Sequence, residues 1–158
     1  MSWLDRVSRL MGSASAAASH DAIEALKSCY CACVQRARHL RQHAEAAPQE
    51  YSANGLRELA VLEEAQVQRL KDALQAVGTS VHPFQPPGEV GGLNHWARLV
   101  QDLEDHQRST REFRQLAMKF AESLPETATL FADLCREEQR HCERLRALIA
   151  RADPQALD

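Results

Sequence analysis

Residues 131–145, FADLCREEQRHCERL, decide how this chain is read. Phe131, Leu134, Glu138, His141, Leu145 and, one turn on, Leu148 recur at alternating steps of three and four, the period of a core-facing helical stripe. Glu138 and His141 therefore fall inside an apolar seam, and residues three apart on a helix are presented on one side. The same pattern occurs earlier in the chain. At an offset of 75 residues, LRELAVLEEAQVQRL (56–70) sets Leu59 on Leu134, Glu63 on Glu138, Arg69 on Arg144 and Leu70 on Leu145. At the turns AEAAP (44–48) meets AESLP (121–125) at an offset of 77, so the first turn is two residues longer. The chain reads as a diverged duplication of one helical hairpin.

Four helical patterns follow from the periodicity, at about 20–46, 52–77, 93–123 and 126–151. Pro48 and Pro125 mark short turns inside each pair, whereas Gly78 to Gly92, GTSVHPFQPPGEVGG, is long and rich in Pro and Gly. Short turns make antiparallel neighbours; fifteen extended residues span roughly 50 Å, enough to run the length of a bundle of about 30 Å. The expected architecture is all-α, a four-helix bundle of two hairpins joined by a long crossover, occupying residues 20–151. Ahead of it, residues 1–19 read as a short amphipathic helix, with Trp3, Leu4, Val7, Leu10 and Met11 on one face, then a Ser- and Ala-rich linker; residues 152–158 read as a tail.

Composition sets the outer bounds. With 158 residues and 17.7 kDa, one domain with a sizeable core is expected. A formal charge of -3 with no clear basic face argues against nucleic acid as the partner. Five cysteines, three of them at Cys29, Cys31 and Cys33 within one helical pattern, do not make a secreted disulfide framework and point to reducing cytoplasm. Asp5, Arg6 and Arg9 interrupt any apolar leader, and no segment has the uncharged length of a membrane span, so membrane contact is not expected.

Polar residues recur at comparable heights on all four stripes. The second helix carries Leu56, Leu59, Glu63, Gln66, Leu70, Ala73 and Val77; the third carries Leu99, Leu103, His106, Thr110, Phe113, Ala117 and Phe120. The first carries Leu26, Cys29, Cys33, Ala37 and Leu40. Burying a lone carboxylate or imidazolium is costly unless it is paired or coordinated, so the layer is read as a shared metal site or a hydrogen-bonded polar network. Two other groups are weighed beside it. His39 and His43 form an i, i+4 pair, but beside Arg36, Arg38 and Arg41 they are expected on a solvated face. Cys29-x-Cys31-x-Cys33 fails as a helical metal motif because residues two apart point about 200° away from each other; Cys29, Cys33, Cys135 and Cys142 are read as core thiols, with a thiolate site as the sharper alternative.

The duplicated hairpins, the long crossover and Glu138-x-x-His141 resemble the ferritin-like superfamily, especially its rubrerythrin-like and bacterioferritin-like members, over about residues 20–150. That resemblance implies a four-helix bundle whose inward Glu and Glu-x-x-His motifs hold two iron ions, used to oxidise iron or reduce peroxide. Carried over by position, it implies Glu138 and His141 as fourth-helix ligands and Glu63 as the second-helix carboxylate, with Gln66 where the second His belongs. On the third helix the ligand position falls on His106, or on Asp105 in the neighbouring register; on the first it falls near Ser28, Cys29 or Tyr30. The full carboxylate set is absent. The expectation is a remodelled transition-metal site of Glu63, His106, Glu138, His141 and Cys29, taking iron or zinc, in metal or oxidant handling. Its expected partners are the metal ion and a second copy of the chain in a homodimer, or a protein partner. The alternative is a metal-free scaffold that binds a protein through its surface or its N-terminal helix.

Overall fold

Four helices, α1 (Ala16–Glu45), α2 (Glu50–Ala76), α3 (His95–Phe120) and α4 (Pro125–Arg151), build the computed structural model, which describes residues 16–82 and 94–152. The amphipathic segment 2–11, the tail beyond 152 and most of the crossover lie outside the described residues. α1 begins four residues before the expected start, taking in Ala16, Ala17 and Ala18. Alanine has the strongest helix propensity, and here it extends the helix into a stretch read as linker.

Local chemistry sets the boundaries. α2 stops in a Schellman motif: Gly78 adopts φ 74°, its N–H donates to the Gln75 carbonyl at 3.0 Å, and Thr79 N–H donates to the Leu74 carbonyl at 3.0 Å. The Asn94 side chain caps α3 by accepting from Ala97 N–H at 2.9 Å. Pro125 opens α4, where a missing N–H costs nothing.

α1 packs closely on α2 and α3 on α4, while α1 also meets α3 and α2 meets α4. Lys119 at the end of α3 pairs with Asp21 near the start of α1 at 2.9 Å, and Arg98 near the start of α3 reaches the Ala46 carbonyl just past the end of α1 at 3.2 Å. α1 and α3 are therefore antiparallel, and α2 and α3 run the same way on a diagonal, so the end of α2 and the start of α3 lie at opposite ends of the bundle. No described helix is long and apolar enough to cross a membrane.

Two apolar clusters fill the interior. One gathers Leu26, Cys29, Leu70, Phe113, Phe120, Phe131 and Leu134, with Phe131 stacked between Phe113 and Phe120 at 6.1 Å from each. The other gathers Leu40, Leu56, Leu59, Leu99 and Leu145. Between them along each helix lies a layer of buried polar side chains, Arg36, Glu63, Gln66, His106, Glu138 and His141.

The α1 face departs from expectation. Arg36, His39 and His43, expected on a solvated surface, are buried at 7%, 6% and 3% exposure. They lie on the side of α1 that meets α3, where Asp102 receives His43: Nδ1 of His43 sits 2.7 Å from Asp102 Oδ2. Arg38 and Arg41 are the exposed ones, Arg41 paired with Glu64 at 2.6 Å.

Candidate metal centre

Each side chain of the polar layer arrives by helical register. Glu63 points inward from α2 while Glu64, its neighbour, points out to Arg41. His106 points inward from α3 and Asp105 pairs with Arg108 at 2.9 Å near the surface. Glu138 and His141 come from α4, three residues apart on one side. One ligand atom from each of Glu63, His106, Glu138 and His141 lies within 4.8 Å of the others, and all four residues are buried. Cys29 is not among them. It packs in the phenylalanine-rich cluster, where burial pushes its thiol up to about 12.

The distances inside the cluster are informative. His141 Nδ1 lies 3.4 Å from Glu138 Oε1 and 3.5 Å from Glu63 Oε2, and His106 Nε2 lies 3.6 Å from Glu63 Oε2. These separations exceed hydrogen bonds of 2.7–3.2 Å. They match the roughly 3.4 Å between adjacent ligands on one ion bound at about 2.1 Å. Accordingly Glu63 Oε2, both carboxylate oxygens of Glu138, His106 Nε2 and His141 Nδ1 are buried without a hydrogen-bond partner, as are both amide atoms of Gln66. Buried polar atoms are nearly always paired, and those of Glu63, His106, Glu138 and His141, with ion-pair contacts of 3.4–3.6 Å among themselves, form a group that could hold a metal ion. The other nitrogen of His106, Nδ1, sits 2.8 Å from the Asp102 carbonyl oxygen, which accepts its proton and leaves Nε2 to face the cluster.

The residue that sequence reading missed is Arg36. Its Nε and Nη2 both sit 2.8 Å from Glu63 Oε1, Nη2 lies 3.0 Å from Cys33 Sγ, and 3.9 Å separate Nη2 from Glu138 Oε1. Glu63 thus divides its oxygens, Oε1 to the guanidinium and Oε2 to the imidazoles. Cα–Cβ bonds lean toward a helix N-terminus, which carries the long Arg36 side chain back over Cys33 and into the layer. A signal was present: continuing the alternation Leu26, Cys29, Cys33 by steps of three and four lands on Arg36, Leu40 and His43, all buried.

Charge governs the titration of the layer. Burial works to raise the Glu63 carboxyl, but Arg36 foremost, then His106 and His141, hold it well below its usual value. Burial works to lower His141, yet Glu138 and Glu63 outweigh it and push the imidazole up to about 9. His106 moves up for the same reason, against its own burial. Burial drives the Cys33 thiol well above its ordinary value, so it meets Arg36 as a neutral acceptor.

The layer borders two grooves. Between α2 and α4, His141 lies beside Leu62, Ala65, Arg69, Arg140 and Arg144. Between α1 and α3, Arg36 lies beside Gln35, His39, Asp105 and Ser109.

No protein-family model and no curated protein matches the sequence. Among solved structures, the chain is similar to a dodecameric thioferritin, the bacterioferritin-related protein from Bacteroides fragilis, with a TM-score of 0.78, 12% identity, and coverage of 93% of this chain and 94% of that one. At that identity the likeness speaks for the fold, and it extends over nearly the whole of both chains. Two antiparallel hairpins packed side by side around a buried His and Glu layer form a ferritin-like four-helix bundle.

Proposed function

We propose that this chain binds a transition-metal ion, iron or zinc, in the layer between its two apolar clusters, and that it serves in metal or oxidant handling. Glu63, His106, Glu138 and His141 are the ligands. The observation that carries this reading is the set of buried oxygens and nitrogens, without hydrogen-bond partners, that come together from three helices. Two carboxylate and two imidazole donors form a borderline set that suits divalent iron or zinc. Cys29 is left out of the ligand set because it stands in the apolar cluster.

The residues around the ligands have definable tasks. Asp102 orients His106 through its carbonyl, and Arg36 fixes the Glu63 carboxylate so that one oxygen faces inward. An ion bound here supplies a Lewis acid or a redox centre. The α2–α4 groove beside His141 is lined by Arg69, Glu137, Arg140 and Arg144, with Arg69 paired to Glu137 at 2.7 Å, and it is the side from which a reactant would approach the layer. Since the structurally similar thioferritin is a dodecamer, we extend the reading to self-association, from the homodimer upward.

One observation favours a metal-free reading. Arg36 and a protonated His141 together neutralise the two carboxylates, so the layer has a charge-balanced state of its own. The two readings separate by elemental analysis of protein purified without an affinity tag, together with melting curves with and without iron and zinc. Stoichiometric metal and a raised melting temperature support the metal centre; neither, with any ion, sinks it in favour of the scaffold, because a ligand stabilises only what it binds in the native state.

A further inference from the structure

The guanidinium of Arg36 has the surroundings of a bound cation. It is buried, two of its nitrogens touch Glu63 Oε1 at 2.8 Å, Nη2 lies 3.0 Å from Cys33 Sγ, and the same nitrogen lies 3.9 Å from Glu138 Oε1. Oxygen, sulfur and oxygen around one positive charge are the donors that a divalent ion would take. The neighbouring position faces Glu63 Oε2, Glu138, His106 and His141, so the two carboxylates bound both. We propose that Arg36 is the permanent occupant of a second cation position, and that the layer accordingly takes one metal ion and not two.

The charge count leads to the same place. The layer offers two carboxylates, and Arg36 already answers one of them, with Nε and Nη2 both 2.8 Å from Glu63 Oε1. One divalent ion then brings three positive charges against two negative. A second ion beside an arginine would bring five against two in a site walled off from water, where like charges are not screened. Arginine is the suitable residue for this task, since it keeps its charge when buried and spans several acceptors at once. This inference rests on the metal reading above and adds to it the number of ions and the residue that limits it.

The test counts cobalt(II) per chain in the purified full-length protein and its Arg36→Met and Arg36→Lys variants, by elemental analysis and by absorption. The parent should take one equivalent with no thiolate-to-cobalt charge-transfer band. Arg36→Met removes the guanidinium, opens its position to the Cys33 sulfur, and should take two equivalents with that band present. Arg36→Lys keeps a cation and should stay at one. Two equivalents in the parent overturn the proposal, as does a single equivalent without the band in Arg36→Met. No cobalt in the parent sinks the metal reading itself, a separate result. Two equivalents in Arg36→Lys, which keeps the cation in place, overturn the proposal as well.

Discussion

Arg36 Nε lies 2.8 Å from Glu63 Oε1 in the centre of the bundle, joining α1 to α2 by a buried ion pair between two apolar clusters. Neither partner has water to fall back on. Removing one partner of such a pair leaves the other charge buried alone, at a cost of about 3–5 kcal/mol. Glu63→Ala should therefore lower the melting temperature by on the order of 10 °C, at about 2–4 °C per kcal/mol for a chain of this size. Replacing both together, Arg36→Met with Glu63→Leu, should recover much of the loss, because it removes both charges and keeps the volume. Thermal unfolding of the parent and the two variants checks this; a double variant no better than Glu63→Ala contradicts it.

Titration of the layer gives the metal-free protein a stability window. The folded protein raises His141 from 6.5 to about 9, so the stability that the imidazolium contributes is full below about 6.5 and is lost as pH rises through 9. Glu63 works oppositely: held below its ordinary 4.5, it contributes above that value and its contribution is lost as pH falls toward the lowered one. His106, also raised, adds to the alkaline loss. The groups that set these shifts are Arg36 from α1, Glu63 from α2, His106 from α3 and Glu138 from α4. Melting temperature without metal should be highest between pH 4.5 and 6.5 and fall toward 9. Ligation needs neutral imidazole, so the increment in melting temperature from added zinc should grow over the same rise in pH. An increment that is flat with pH contradicts proton displacement from His141.

The end of α2 offers an independent check on the fold. Gly78 holds φ at 74°, and nothing lies within 4 Å of a Cβ built on it. Gly78→Ala therefore meets backbone strain without a steric clash and should cost about 1 kcal/mol. Gly55 is the opposite case: its φ is ordinary, but an added Cβ would meet Leu148 Cδ2 at 3.0 Å. There, Leu148 must shift, so Gly55→Ala combined with Leu148→Val should lose less than Gly55→Ala alone. Equilibrium denaturation of the variants measures both.

Much of this was legible in the sequence because apolar stripes repeat where helices meet. Glu63, Gln66, Glu138 and His141 were found on stripes whose other members are Leu and Phe, and the Pro- and Gly-rich stretch from Gly78 to Gly92 announced the crossover. What was not legible was the α1 face. Ala37 and Arg36 are adjacent, and a stripe drawn through the alanine is as regular over two turns as one drawn through the arginine; both residues are buried, and hydrophobicity picks out only the alanine. The burial of Arg36, His39 and His43 depends on partners supplied by other helices, Glu63 on α2 and Asp102 on α3. No local pattern on α1 contains those partners, so a cluster of Arg and His reads as solvated until the helices are assembled.

The last prediction separates the layer from the second buried histidine group. His43 meets Asp102 at 2.7 Å, and its side chain stacks with that of His39 at 6.1 Å between ring centroids. Truncating His39 and His43 together leaves the buried Asp102 carboxylate without its hydrogen-bond partner, at a cost of about 1–3 kcal/mol. Metal content should be unchanged, since neither residue contributes to the converging donors. His141→Ala takes away a ligand and leaves Glu138 and Glu63 with one imidazole fewer, so both metal content and stability should fall. Bound metal per chain and melting temperature, each with and without zinc, distinguish the four quantities. If the double variant loses metal while His141→Ala keeps it, the ion belongs to the α1–α3 contact at His43 and Asp102, and the assignment to Glu63, His106, Glu138 and His141 is wrong.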